Sequence, residues 1–116
     1  MDQAKIVETD AVCPAVQAAF ELIGRKWTAL IVKALLVKDR CFAEIERSVP
    51  DLSSRMLALR MKELEAAGIL TRSVSGESPI RVTYSLTEKG RALGPVVDAL
   101  EVWARAWPAF DQASVA

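Results

Sequence analysis

Residues 51–86 change hydrophobic period once, from the three- and four-residue spacing of an amphipathic helix to the two-residue alternation of a strand. Few folds place that switch between two short turns. In residues 53–67 the apolar positions Leu57, Met61 and Leu64 stack on one side of a helix, while Arg55, Ala58, Leu59 and Lys62 look elsewhere. Ser53 supplies an N-cap, because its hydroxyl can accept from an unpaired amide of the first turn, and Gly68 supplies the left-handed residue that stops the helix. Residues 69–74 and 80–86 are rich in β-branched and aromatic side chains, and Ser75, Gly76, Glu77, Ser78 and Pro79 between them carry turn chemistry. The expected unit is a helix followed by a two-stranded β-wing.

Upstream, Phe42, Ile45 and Val49 mark a short amphipathic helix, and Pro50-Asp51-Leu52 is a tight turn into the next one. Two helices joined in this way read as helix-turn-helix. Such pairs with a hairpin also occur in proteins that touch no nucleic acid, so spacing alone leaves a DNA-binding element and a protein-binding winged helix both open. Local charge favours DNA: Arg55, Arg60 and Lys62 come first with no acid among them, and Glu63 and Glu65 follow near the far end. On this reading Ser54, Arg55, Ala58, Leu59 and Lys62 face base edges or the groove wall, and Ser53 belongs to the DNA-binding set at the start of the helix. Arg60, Arg81 and the wing tip at Gly76 position the DNA backbone. Leu59, apolar on that face, is the feature that speaks for the protein-binding alternative.

The flanking segments are apolar. Residues 27–36 carry only Lys33 as a charge and are expected as a buried helix with Trp27 in the core, while Arg25 and Lys26 ahead of it suit solvent as well as a phosphate. After Thr87, an N-cap by residue type, Leu93, Val96, Val97, Leu100, Trp103 and Trp107 repeat at helical spacing. Gly94-Pro95 interrupts them, and an interior proline costs about 3 kcal/mol, so a split is expected there. At the other end Val12, Val16, Ala19, Phe20 and Ile23 form a second apolar face. With 52% hydrophobic residues and a mean hydropathy of +0.20 over 116 residues, a small monomer has difficulty hiding so much apolar surface. A homodimer through Val16, Phe20, Val97, Leu100, Trp103 and Trp107 resolves this; the competing reading is that these residues only complete the monomer core.

The chain contains no histidine and two cysteines far apart, which excludes Cys-His and Ser-His catalytic pairs, zinc sites built from close cysteines and a Cys-x-x-Cys redox motif. No glycine-rich phosphate loop is present, and Glu44 and Glu46 point to different sides of a short helix. An enzyme is therefore not expected, nor a metal or cofactor. Net charge is zero with a pI near 6.3, so any attraction to DNA must come from local segregation of charge. No basic region precedes an apolar run at the start, and no apolar stretch approaches the ~20 residues of a membrane span, so a cytoplasmic protein without a membrane partner is expected. The organisation expected is an arm over 1–12, one domain over 13–107 and a tail over 108–116.

From Cys13 to about Trp103 the residues resemble the HxlR-type winged helix-turn-helix transcriptional regulators, relatives of the MarR group. The likeness lies in Cys13-Pro14, Ile23-Gly24-Arg25-Lys26-Trp27, Phe42-Ala43-Glu44-Ile45, then Ser53, Arg55, Leu57 and Arg60. It continues through residues 63–69 and 81–88 to Gly90 and Leu93. The chain departs from the pattern at Cys41, where a basic residue is more usual, at Ile80, which replaces the second proline of a common Pro-Pro, and at Leu59. The resemblance implies an α+β, mostly α, winged helix-turn-helix with terminal dimerisation helices. It implies a homodimer on palindromic double-stranded DNA, its two reading helices about 34–36 Å apart. It also implies redox sensing at Cys13, the position at which some members detect quinones, aldehydes or oxidants. Cys13 precedes Pro14 and so lies by the positive end of a helix dipole; the alternative is a small buried hydrophobe. Cys41, beside Arg40, is the second candidate.

Overall fold

Local signals set most element boundaries in the computed structural model, which describes residues 11–107. The expected arm as far as residue 10 and the expected tail over 108–116 lie outside the described residues. In chain order the elements are α1 (Pro14–Ile23), α2 (Thr28–Val37), α3 (Phe42–Ser48), α4 (Ser54–Ala66), β1 (Leu70–Ser75), β2 (Arg81–Leu86), α5 (Glu88–Arg91) and α6 (Gly94–Ala106). Ser53 caps α4 as its sequence predicts, its hydroxyl accepting from the Met56 amide at 3.1 Å. Gly68 follows with a φ of 76°, the left-handed conformation that turns the chain into β1. Replacing Ser53 with alanine leaves the Met56 amide without that acceptor and is expected to cost about 1 kcal/mol, read as a lower urea midpoint at constant slope.

The turn between α3 and α4 is closed by the Leu52 amide donating to the Val49 carbonyl at 3.4 Å. Asp51 takes a φ of 70° there, a conformation that a short polar side chain tolerates better than a bulky one. The hairpin is antiparallel, with Leu70 opposite Leu86, Arg72 opposite Tyr84 and Val74 opposite Val82 on one face. Thr71 with Ser85, Ser73 with Thr83 and Ser75 with Arg81 make the other, polar face. Arg40, between α2 and α3, adds a single rung: it exchanges backbone hydrogen bonds of 3.1 and 2.8 Å with Tyr84. That link ties the wing to the helical body.

One core joins all layers. α2 contributes Ile31, Val32 and Leu35; Ile45, Val49 and Leu52 come from α3 and its turn; α4 adds Leu57, Met61 and Leu64; Ile69, Leu70, Leu86 and Val97 complete it. Trp27 packs against this cluster as expected, half-buried. The expectation of a buried helix over 27–36 is corrected at Leu30, which stays exposed because a helix packs on one side; Val37, at the end of α2, is exposed as well.

The split at Gly94-Pro95 falls where the proline predicts, with α5 ending at Arg91 and α6 carrying Pro95 in its first turn. Thr87 caps α5 by accepting from the Gly90 amide at 3.0 Å. The inner side of α6 meets α2, where the Lys33 ammonium pairs with the Glu101 carboxylate at 2.6 Å. The hydrogen bond between them raises the Lys33 pKa and lowers that of Glu101. Val97 lies on this inner side, one turn before Glu101, and is buried within the chain. Its assignment to a dimer face is therefore corrected. Trp107 lies just past α6 in extended backbone rather than within the helix. Among the described residues, no helix is long and apolar enough to cross a membrane.

Candidate nucleic-acid interface

α4 presents two chemically opposite sides. Leu57, Met61 and Leu64 are buried in the core, and the side turned away from them exposes Arg55, Leu59 and Lys62. Ser53, Arg55, Met56, Ala58, Leu59 and Lys62 line one shallow concavity, so the structure brings together most of the residues expected at a reading face. Met56 is an addition that the helical pattern did not single out: half-buried, it packs against the core and also lines this concavity. Among the described residues, Arg25, Lys33, Arg60 and Arg105 are engaged in ion pairs, whereas Arg55 and Lys62 are not. Two cations on this face are thus available to an anionic partner.

Two expected contacts are turned to other uses. The Ser54 hydroxyl donates to the Glu46 carboxylate of α3, joining the two helices of the motif. Arg60 points aside: its Nε donates to the Lys26 carbonyl at 2.8 Å and its side chain is 13% exposed. The guanidinium expected to meet a DNA backbone is instead committed within the chain, because the Lys26 carbonyl and Glu63 both fall within its reach.

The wing is exposed from Thr71 to Arg81. Gly76 lies in its turn and Arg81 opens β2 on the polar face. Arg72, also exposed, shares the other face with Tyr84 and adds a cation that the sequence reading passed over. Its position in the two-residue alternation from Leu70 was the available signal.

Both cysteines are free thiols, and each occupies the N-cap position of a helix. Cys13 is exposed before Pro14 of α1, which excludes the buried-hydrophobe reading for the single chain. Cys41 is half-buried before α3, where its amide donates to the Glu44 carboxylate at 2.8 Å. Hydrogen bonds from the Cys41 amide and side chain hold the Glu44 carboxyl below its ordinary value.

Among the described residues, the terminal helices carry exposed apolar faces. On α1 and just before it, Val12, Val16 and Phe20 are exposed, Phe20 to 68%; on α6 and just beyond, Val96, Leu100, Trp103 and Trp107 are exposed, Leu100 to 56%.

Known proteins share this arrangement. The HxlR-like helix-turn-helix family model matches residues 22–112. The chain is 44% identical over 100 residues to the HTH-type transcriptional regulator YvaP of Bacillus subtilis, covering 84% of this chain and 93% of YvaP. To the HTH-type transcriptional regulator YodB of the same organism it is 42% identical over 95 residues, covering 82% and 85%. The structure of reduced YodB matches with a TM-score of 0.74 at 40% identity, over 89% of this chain and 98% of that one. The redox regulator HypR in its reduced form matches with a TM-score of 0.75 at 37% identity, over 79% and 91%. Its winged helix-turn-helix, its sequence and its matched length together show that the chain belongs to the HxlR-like helix-turn-helix family of transcriptional regulators.

Proposed function

We propose that this regulator acts as a homodimer on palindromic double-stranded DNA, and that a small electrophile or oxidant controls it through a cysteine. The observation that carries the DNA reading is the exposed side of α4, which offers Arg55 and Lys62 without carboxylate partners on the second helix of a helix-turn-helix. In a major groove, arginine reads guanine through two hydrogen bonds, and an apolar side chain such as Leu59 suits a thymine methyl group. Arg72, Arg81 and the turn at Gly76 supply the wing's contacts to phosphates. Arg55→Ala is expected to weaken operator binding by about 1–3 kcal/mol and to relax preference at one position per half-site. Unchanged affinity and preference, measured on a panel of single-base operator variants, would remove Arg55 as a base reader.

The exposed apolar side chains of α1 and α6 support the dimer, with Val16, Phe20, Leu100, Trp103 and Trp107 in the contact. Twofold symmetry then requires palindromic half-sites. Cys13 precedes α1 beside Val12 and Val16, so an adduct there alters the packing of the same face. Cys41 caps the first helix of the DNA-binding motif and is the second position at which modification would be felt. The likeness to HypR, a redox regulator, supports this form of control. As a regulator of DNA, the protein works in the cytoplasm and not as an enzyme.

Selection from a pool of random duplexes, with the protein reduced and then treated with a quinone or an oxidant, tests the whole reading. A palindrome recovered only by the reduced protein is the expected result. Equal recovery in both states would remove cysteine control, and recovery in neither would leave a protein-binding winged helix in its place.

A further inference from the structure

α4 is anchored on its flank as well as on its buried side. Arg60 and Glu63 lie one turn apart between the core side and the reading side. The Arg60 Nη1 donates to both Glu63 carboxylate oxygens at 3.1 and 3.3 Å, while its Nε donates to the Lys26 carbonyl at 2.8 Å. Glu63 also accepts from the Arg25 Nη1 at 2.9 Å. One carboxylate thus holds two guanidinium groups, and one of them grips the backbone of the corner between α1 and α2. That corner is itself braced: Trp27 packs against the core, and the Lys26 ammonium lies 4.8 Å from the centre of its ring.

Apolar packing at Leu57, Met61 and Leu64 sets the depth of α4 and the side it buries, but the attraction is non-directional and fixes the last few degrees of rotation about the helix axis less sharply than hydrogen bonds do. The guanidinium fork, by contrast, has fixed geometry. A small rotation would carry Arg55 and Lys62 away from base edges while leaving long-range attraction to phosphates almost unchanged. Resting on the reading of α4 as the DNA-reading helix, we propose that Arg25, Glu63, Arg60 and the Lys26 carbonyl form a clamp. It sets the rotation of α4 against the α1–α2 corner and thereby its sequence preference. Arg60 and Glu63 are positioning residues, acting through Arg55 and Lys62. The corner continues from α1 through Gly24, whose amide donates to the Phe20 carbonyl at 2.8 Å, so the clamp also joins the exposed apolar face of α1 to the reading helix.

Charge alone predicts the opposite result for the deciding variant. Glu63→Ala makes the chain more cationic and on electrostatic grounds should tighten binding to any duplex. The clamp requires about tenfold weaker binding to the operator recovered by selection, as for loss of one charge-assisted hydrogen bond, and no weakening on a shuffled duplex. If Arg60 instead touched a phosphate, Arg60→Met would weaken both duplexes alike and lower the slope of log K against log salt by about one. The clamp predicts an unchanged slope and a loss confined to the operator. Arg25 is 54% exposed, so Arg25→Ala preserves the fold and decides the matter if the other variants do not fold; its expected loss is about threefold, again on the operator alone. Undiminished operator binding by Glu63→Ala or Arg25→Ala, or a reduced salt slope for Arg60→Met, would overturn the clamp and leave the DNA reading standing. A wild-type protein that recovers no sequence would overturn both.

Discussion

Replacing Leu100 with glutamate is expected to convert the protein to monomers and to weaken operator binding by roughly 10²–10⁴-fold. Leu100 is 56% exposed in the single chain and lies with Val96 on the outward side of α6, away from Val97 in the core. A carboxylate placed there stays hydrated in the monomer, so the fold should survive. In the proposed dimer it would have to leave water for an apolar contact, at a cost that the interface does not recover. Each half-site would then be bound separately, and the second binding event would lose the effective concentration that tethering provides. Sedimentation equilibrium reads the first effect and operator titration the second. A variant that stays dimeric removes this side of α6 from the interface, and a monomer of undiminished affinity removes the dimer from the binding mode.

Gly90→Ala is expected to be the more damaging change to the fold, although it adds a single methyl group. A Cβ at Gly90 would overlap the Ile69 carbonyl oxygen and approach the Leu86 Cδ2 to 3.1 Å. The obstruction is mostly backbone, which cannot rotate away as a side chain can. The same carbonyl accepts from the Thr87 amide at 2.9 Å, and the Thr87 hydroxyl donates to the Gly68 carbonyl at 2.6 Å. Lys89 adds a bond to the Ala67 carbonyl at 2.8 Å. Displacing Ile69 therefore strains the hydrogen bonds that fasten the base of the wing to α4 and α5. The expected loss is roughly 3 kcal/mol, the upper part of the range for overpacking, with a melting temperature lower by about 12 °C or more. A loss below about 1 kcal/mol by calorimetry would show that the junction relaxes without resistance.

The elements of the candidate site were legible because their signals are local. The buried stripe of α4 follows from a spacing of three and four residues, its ends from Ser53 and Gly68, and the wing from alternation around a polar turn. Proline at position 95 marked the break before α6 for the same reason: it lacks an amide and disrupts the helix wherever the rest of the chain lies. The use of individual polar side chains was less legible. Arg60 looks like Arg55 in the sequence, since both are cations on the same helix. Only the arrival of the Lys26 carbonyl and Glu63 beside one of them separates an internal brace from a candidate DNA contact.

The sequence by itself determined the order of the elements, the buried side of α4, the turn into the wing and the exclusion of histidine-based chemistry. These depend on periodicity, capping and residue type, which act over a few neighbouring positions. Tertiary structure decided that Val97 enters the core while Leu100 does not, that Arg40 pairs with Tyr84, and that Gly90 has no room for a methyl group. Each of those outcomes requires two segments distant in the chain to meet, and a helical stripe wider than the surface available to cover it does not say which of its residues will face inward.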